Sequence, residues 1–585
     1  MQIKQIAALV AFAGTLTACG GGDINVNADS TDNSVDNSVD NSGSGSGAPQ
    51  IVCASYVDEG GIAREGQVDG ENCFYSEAFV DFDNPLLASV TLSDIGDGAH
   101  IFAGSVFVGQ NYDTLVDANA AGLTEGGDGP TLTVRPGVTV ALQNPEDFVA
   151  ILRGSRIIAE GSDDAPITFT SEDDVRGLVS PEEVQSWGGM VINGFGFTNA
   201  CNYEAGWDPE DSGTTLTLAA GADCSILMEG AEGARENHYG GTVPDDNSGT
   251  LSYVVVKHAG FEVVEGNELN GITFGAVGSG TTLNNVEVYS NQDDGVEFFG
   301  GGVDLNNYLA LYVRDDSIDI DQGYYGVITN ALVIQGGGLD EPTKTGAHCV
   351  ESDGSASNLI AQNIANGYVS RATINNLTCI SSAKGPGVAG NSDPGAGVNA
   401  EESHELTLNS SIITTAYTFD ATTDSSGTPL AAANLPFTNY CFQLEDTVDL
   451  ENAGNGLINI NTSIFACADL SSNRNRDADI TLVAGTTFGA ITGLEFLNAQ
   501  DNLTFATSDD GTTRPDGDGT IAGGIGILDG FYSLPLASMN VDGAAVTFAD
   551  SSATTIGAVT IDNDWTQGWT YGLHEGLRGQ ALWFE

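Results

Sequence analysis

A repeat constrains this chain more than any other feature. Asn291-Gln292-Asp293-Asp294-Gly295-Val296-Glu297-Phe298-Phe299 returns 22 residues later as Val313-Arg314-Asp315-Asp316-Ser317-Ile318-Asp319-Ile320-Asp321. Leu283-Asn284-Asn285-Val286 returns in the same step as Leu305-Asn306-Asn307-Tyr308, Asn330 continues the series, and Ile374-Asn375-Asn376-Leu377 echoes it. A period in the low twenties, built from strand-sized pieces, is the signature of a stacked β-coil. The expected fold is therefore all-β, a right-handed parallel β-helix forming a single-stranded solenoid. Asn at a fixed place in each coil predicts a ladder of side-chain amides, each satisfying its neighbour's backbone inside a turn.

Working outward from this register, Asn270-Gly271-Ile272-Thr273-Phe274 reads as an earlier rung. Cys349-Val350-Glu351-Ser352-Asp353 and Gly397-Val398-Asn399-Ala400-Glu401 read as later ones. The repeat covers about 250–415, and weaker strand patterns extend the predicted β-helix to 49–490. Residues 491–585 are less regular, end in the aromatic Trp565-Thr566-Gln567-Gly568-Trp569, and are expected to form an irregular C-terminal cap.

Stacking puts like positions about 4.8 Å apart along the coil axis. Glu297, Asp319 and Glu351 then form one column, and Phe299, Asp321 and Asp353 the next, while Val296, Ile318 and Val350 point inward. Asp293-Asp294 over Asp315-Asp316 adds acid at the turn. Carboxylates this close must share protons, pair with a base, or hold a cation such as calcium. Glu297, Asp319, Asp321, Glu351 and Asp353 are accordingly the candidate calcium ligands. The plainer alternative is a ladder of Asp turns on an acidic protein.

Lysine and arginine number 16 against 81 acids, for a net charge of −65. Nucleic-acid binding needs a basic footprint and is set aside, as is attraction to anionic lipid. Self-repulsion of this size suits salty or divalent-rich water.

The first nineteen residues read as an export signal: Lys4, an apolar stretch over 6–15, then Leu16-Thr17-Ala18-Cys19. This ending resembles the bacterial lipoprotein signal, which implies cleavage before Cys19 and a lipid on that cysteine. Gly20 in place of Asp implies the outer membrane, with the chain facing the cell surface or the periplasm. Residues 20–48 are Gly, Asp, Asn and Ser, and read as a flexible tether. Eight cysteines remain, an even number in an oxidising compartment, and fall as neighbours: Cys53 with Cys73, Cys201 with Cys224, Cys349 with Cys379, Cys441 with Cys467. No cysteine or histidine spacing suits structural zinc.

The stretch from Asp246-Asn247-Ser248-Gly249 through Gly323, with Trp187-Gly188-Gly189-Met190 and Asp564-Trp565-Thr566-Gln567-Gly568-Trp569, resembles a group of bacterial surface β-helix lipoproteins found near TonB-dependent receptors. That resemblance implies fold, location and a TonB-dependent receptor as partner. A narrower resemblance is to polygalacturonase-type, pectin-lyase-like β-helix glycosidases. Their Asn-x-Asp and Asp-Asp match Asn291, Asp293, Asp315 and Asp316, and their histidine falls on His348, which implies these as catalytic residues of an inverting hydrolase. The family's Arg-x-Lys pair aligns instead with Asn399 and Glu401, which removes the charge that grips an acidic sugar.

A lyase would need a basic residue beside calcium, and Arg314, Lys257 and Arg371 are the candidates. His258 and His404 have no visible partner and read as structural, and Tyr324 and Tyr325 as half-buried strand aromatics rather than sugar platforms. The first reading is a surface-exposed lipoprotein that presents a calcium-loaded acidic face to an extracellular carbohydrate or nutrient. The rivals are a glycoside hydrolase or lyase using Asp293, Asp315, Asp316 and His348, and an adhesin or structural stalk.

Overall fold

The computed structural model describes residues 51–336 (except 232, 265 and 266), 346–355, 359–381, 396–415, 440–444, 447–466, 555–560 and 563–574, with short strand pieces between 503 and 545. The signal, Cys19 and the tether lie outside the described residues, as does Cys467. No helix among the described residues is long and apolar enough to cross a membrane.

The architecture is a parallel β-helix. The strands that position the site are β1 (Val106–Val108), β2 (Phe148–Ile151), β3 (Gly189–Asn193), β4 (Gly249–Lys257), β5 (Ile272–Gly275), β6 (Thr282–Tyr289), β7 (Val296–Phe299), β8 (Leu305–Leu311), β9 (Ile318–Asp321), β10 (Val327–Ile334), β11 (Glu351–Ser352) and β12 (Thr373–Ser381). Seven of them form one parallel sheet in the order β11-β9-β7-β5-β3-β2-β1. The longer strands β4, β6, β8, β10 and β12 pair in sequence within the second, larger sheet. Alternate strands in the chain thus go to alternate walls, with the apolar side chains of both walls meeting between them in one continuous cluster that includes Ile272, Val296, Ile318, Leu305 and Ile328.

The strands of the second sheet bend where one residue turns left-handed: Tyr253, Asn285, Asn307, Asn330 and Asn376, with φ of 51°, 56°, 56°, 58° and 57°. Asn tolerates this region better than other residues bearing a Cβ, because its short amide bonds locally. The amides then form a ladder. Asn307 Nδ2 donates to Asn285 Oδ1 at 3.1 Å, Asn330 to Asn307 at 2.9 Å, and Asn376 to Asn330 at 2.9 Å. The predicted ladder exists, but it links amide to amide rather than amide to backbone. Beyond Asn376 it steps back one residue, from Asn375 to Asn409 at 3.0 Å and on to Asn461 at 3.2 Å, where Ser410 and Thr462 take the left-handed position.

Three predicted disulfides are present: Cys53–Cys73, Cys201–Cys224 and Cys349–Cys379. Cys441 is also disulfide-bonded.

Where an end cap was expected, the described residues 555–574 run along the outside of the second sheet. Gly557 N–H donates to Ser410 O at 2.9 Å, Ala558 N–H to Thr378 Oγ1 at 2.9 Å, and Tyr571 N–H to Glu287 Oε2 at 2.7 Å. Trp565 and Trp569 bury against Tyr289, Leu309 and Leu311. The reason is chemical: the sheet's outer side carries apolar Val255, Tyr289, Leu309, Leu332 and Ile380, which water would otherwise meet.

Candidate functional site

The candidate site lies on the outward side of the seven-stranded sheet. In Val296-Glu297-Phe298-Phe299 and Ile318-Asp319-Ile320-Asp321 every second residue points into the core, so the acids between them must point out. Parallel pairing is in register as expected: Glu297 opposite Asp319, and Asp319 opposite Glu351. Phe299 stands opposite Asp321 in the neighbouring column. At the preceding turn Asp316 N–H donates to Asp294 Oδ1 at 3.0 Å, which stacks the two acidic turns.

The column is not an open face. The hairpins Ile226–Leu227/His238–Tyr239 and Phe261–Val264/Asn267–Leu269 fold back over it. Met228, Tyr239 and Leu269 pack with Phe299 in one cluster, Tyr239 stacks on Phe299 with ring centroids 5.8 Å apart, and the Tyr239 hydroxyl donates to Gln322 Oε1 at 2.7 Å. Asp294, Glu297 and Asp316 are consequently 8%, 5% and 4% exposed. The expected acidic face is thus a covered cleft. These hairpins also bring in Glu229 and Glu268, which the repeat register did not flag because they lie in insertions rather than rungs.

Burial first, and neighbouring acids second, push the carboxyls of Asp293, Asp294, Glu297 and Asp319 well above the usual range. Burial together with Glu268 and Asp321 raises Glu229 to about 7, and burial raises Asp321 to about 7. Glu351 goes the other way. Burial opposes its charge, but His348 and hydrogen bonds from Asp316, Glu401 and Asn399 outweigh that and lower it to about 2. Burial first, and the neighbouring Glu351 second, push Asp316 well above the usual carboxylate range.

Three sets of side chains bring their ligand atoms within 4.8 Å of one another: Asp293, Asp294 and Asp315; Asp294, Glu297 and Asp319; and Asp316, His348 and Glu351. The acids that the register stacks fall into these three sets. Glu297 and Asp319 meet Asp294, while Glu351 joins Asp316 and His348. Asp321 and Asp353 stand one position further out and complete no such set among the described residues. Of the catalytic candidates, Asp293 and Asp315 sit together and Asp316 with His348. Asp316 Oδ1 lies 2.8 Å from His348 Nδ1, as the register required, and Nδ1 lies 3.4 Å from a Glu351 oxygen. Asn399 Nδ2 donates to Glu351 Oε1 at 3.1 Å.

Calcium takes six to eight oxygens at about 2.3–2.6 Å, so oxygens on opposite sides of one ion are about 4.8 Å apart. The two all-carboxylate sets each offer three oxygens within that span, and they share Asp294. The set with the imidazole is less suited to calcium, which prefers oxygen, and is better suited to proton transfer.

The basic candidates are engaged elsewhere. Lys257 pairs with Asp174 at 2.8 Å and lies 4.1 Å from the Tyr571 ring, on the outside of the second sheet. Arg314 donates to Gln292 and to the Glu182 carbonyl, and Arg371 to the Gly367 carbonyl. His258, expected without a partner, bonds the Glu183 carbonyl at 2.8 Å and lies 3.6 Å from Asp174. His404 is fully buried with neither ring nitrogen bonded, and burial lowers it to about 3. Tyr324 is fully buried and stacks on Phe298 inside the coil, while Tyr325 packs among Phe197 and Trp207.

Comparison with curated proteins and with solved structures gives no match. The family model described as pectate-lyase-like beta helix domain matches residues 118–480, which hold every rung of the site. The chain belongs to that family.

Proposed function

We propose that the protein is a carbohydrate-binding β-helix of the cell exterior whose acidic cleft works loaded with calcium. The observation that carries this is the sharing of Asp294 by two all-carboxylate sets in a cleft with little access to water. Like charges there repel strongly, and a divalent cation relieves them without protonation. The pectate-lyase-like β-helix supports carbohydrate as the ligand class. The lipobox ending at Cys19 and the tether after it support attachment to outer-membrane lipid, with a TonB-dependent receptor as the partner that takes the ligand onward. Calorimetric calcium titration, followed by a glycan panel with and without EDTA, tests the proposal. Calcium binding at or below millimolar concentration, with glycan capture lost in EDTA, is the expected result. No binding at millimolar calcium would overturn it.

The Asp316–His348 contact favours a second reading, an inverting glycoside hydrolase in which the protonated Asp316 is the general acid. A neutral glycan is then the substrate, since Asn399 and Glu401 offer no cation to a uronate. Turnover of a polysaccharide that disappears in Asp316→Asn would establish hydrolysis over binding alone.

A further inference from the structure

Gly271, Gly295, Ser317, Cys349 and Gly397 occupy one position in successive rungs, immediately before the inward residues Ile272, Val296, Ile318, Val350 and Val398. At this corner the site sheet comes hard against the second sheet. A Cβ on Gly271 would stand 2.6 Å from Val288, and one on Gly397 2.1 Å from Ile413. Val288 and Ile413 belong to the column of the second sheet that also holds Cys379. At Gly271 and Gly397 the two walls meet through a residue without a side chain. At the Cys349 rung they meet through a covalent bond, Cys349–Cys379, with both cysteines fully buried.

That rung is the one that carries His348 and Glu351, and its regular strand is short. Its strand, β11, has two residues where β7 and β9 have four. It is tied to the rung before it by Ala347 N–H to Asp315 O, Ser317 N–H to His348 O, and His348 N–H to Asp316 Oδ1 at 2.6 Å. Toward the next rung Val350 N–H reaches Gly397 O at 3.2 Å, Asn399 N–H reaches Val350 O at 2.8 Å and Glu401 N–H reaches Ser352 O at 2.9 Å.

We infer that the Cys349–Cys379 disulfide is a positioning crosslink that sets His348 and Glu351 against Asp316, so that this part of the site is completed only after oxidation. The step is thiol–disulfide exchange. One sulfur–sulfur bond forms between Cys349 and Cys379 and one breaks in a disulfide-bearing oxidant, which accepts two electrons and, with the two protons given up by the cysteine thiols, leaves as two thiols. A chain still in a reducing compartment would hold an incomplete site. The inference rests on the proposed function for its purpose, but its geometry can be read separately.

The test compares full-length wild type with Cys349→Ala/Cys379→Val and, as a control, Cys201→Ala/Cys224→Ala. The readouts are the imidazole nitrogen resonances of 15N-histidine-labelled protein and calcium affinity by calorimetry. In the first variant the His348 signal should move or broaden while calcium affinity holds, and the control leaves both in place. Should the first variant fail to fold, wild type treated with a phosphine reductant supplies the same comparison. An unmoved His348 signal in folded protein lacking the crosslink would overturn the inference. Wild type that binds no calcium would instead sink the proposed function, and the His348 signal alone would then decide the crosslink's role.

Discussion

Asp316 receives His348 twice on one oxygen: the backbone N–H at 2.6 Å and the ring Nδ1 at 2.8 Å, both to Oδ1. One carboxyl thus fixes the course of the rung and the orientation of its imidazole. Asp316→Asn keeps a carbonyl acceptor for the backbone bond and removes the ionisable proton. Folding should survive, with a loss of about 1–3 kcal/mol. Any hydrolytic turnover should fall by about 100-fold or more, as expected for removal of a general acid. Thermal unfolding and rate assays on one preparation check both.

Stability should depend on pH in the sense opposite to ordinary acid unfolding. Asp293, Asp294, Glu297 and Asp319 bind protons more tightly folded than unfolded, chiefly through burial. Their stabilising effect is complete below the unfolded carboxylate pKa of about 4 and is lost as pH rises through their folded values, with Glu229 and Asp321 following at about 7. Without divalent cations, the melting temperature should fall from pH 5 to pH 8. Calcium at about 100 times its Kd should restore about 2.7 kcal/mol at the upper end. A melting temperature that rises across this range in EDTA would contradict the covered-cleft picture.

The amide ladder can be tested apart from its backbone. Asn307, with φ 56°, both donates to Asn285 and accepts from Asn330. Asn307→Gly keeps the left-handed bend and loses the amides, while Asn307→Ala loses both. Glycine should cost about 1–3 kcal/mol, and alanine a further 1–2 kcal/mol, roughly, for the left-handed backbone. Equal losses in denaturant titrations would show that only the bend matters.

Much of this was legible in the sequence because a parallel coil turns sequence distance into spatial neighbourhood. The 22-residue step from Gln292 to Arg314 fixed which acids stack, and the expected pairs Glu297–Asp319 and Asp319–Glu351 are the ones found. What escaped lies off the repeat. Glu229 and Glu268 sit on hairpins whose placement depends on Met228 and Leu269 finding Phe299, a contact with no period to reveal it. The partner of His258 was hidden for the same reason, since Glu183 and Asp174 belong to a connecting segment. The direction of Asp294 was also unreadable: it directly follows Asp293 in a turn, and the backbone bond that it accepts from Asp316 places it where two of the sets meet.

The outer segment should be separable from the coil. Trp569→Ala removes a side chain that is 2% exposed, packed near Trp565 and Tyr253. Loss of a buried Trp costs about 3–5 kcal/mol, here concentrated on residues 555–574. Limited proteolysis should cut the variant in this segment faster than wild type, while circular dichroism of the coil is unchanged.

That segment also alters how the molecule must come apart. A stack of coils held only by nearest neighbours peels from either end, one turn at a time. Here residues near the carboxyl terminus touch Ser410, Thr378, Glu287 and, at Gly568, the vicinity of Asp163, so turns far apart in the stack share one fastening. Peeling of a single turn beneath it is discouraged until the fastening lifts.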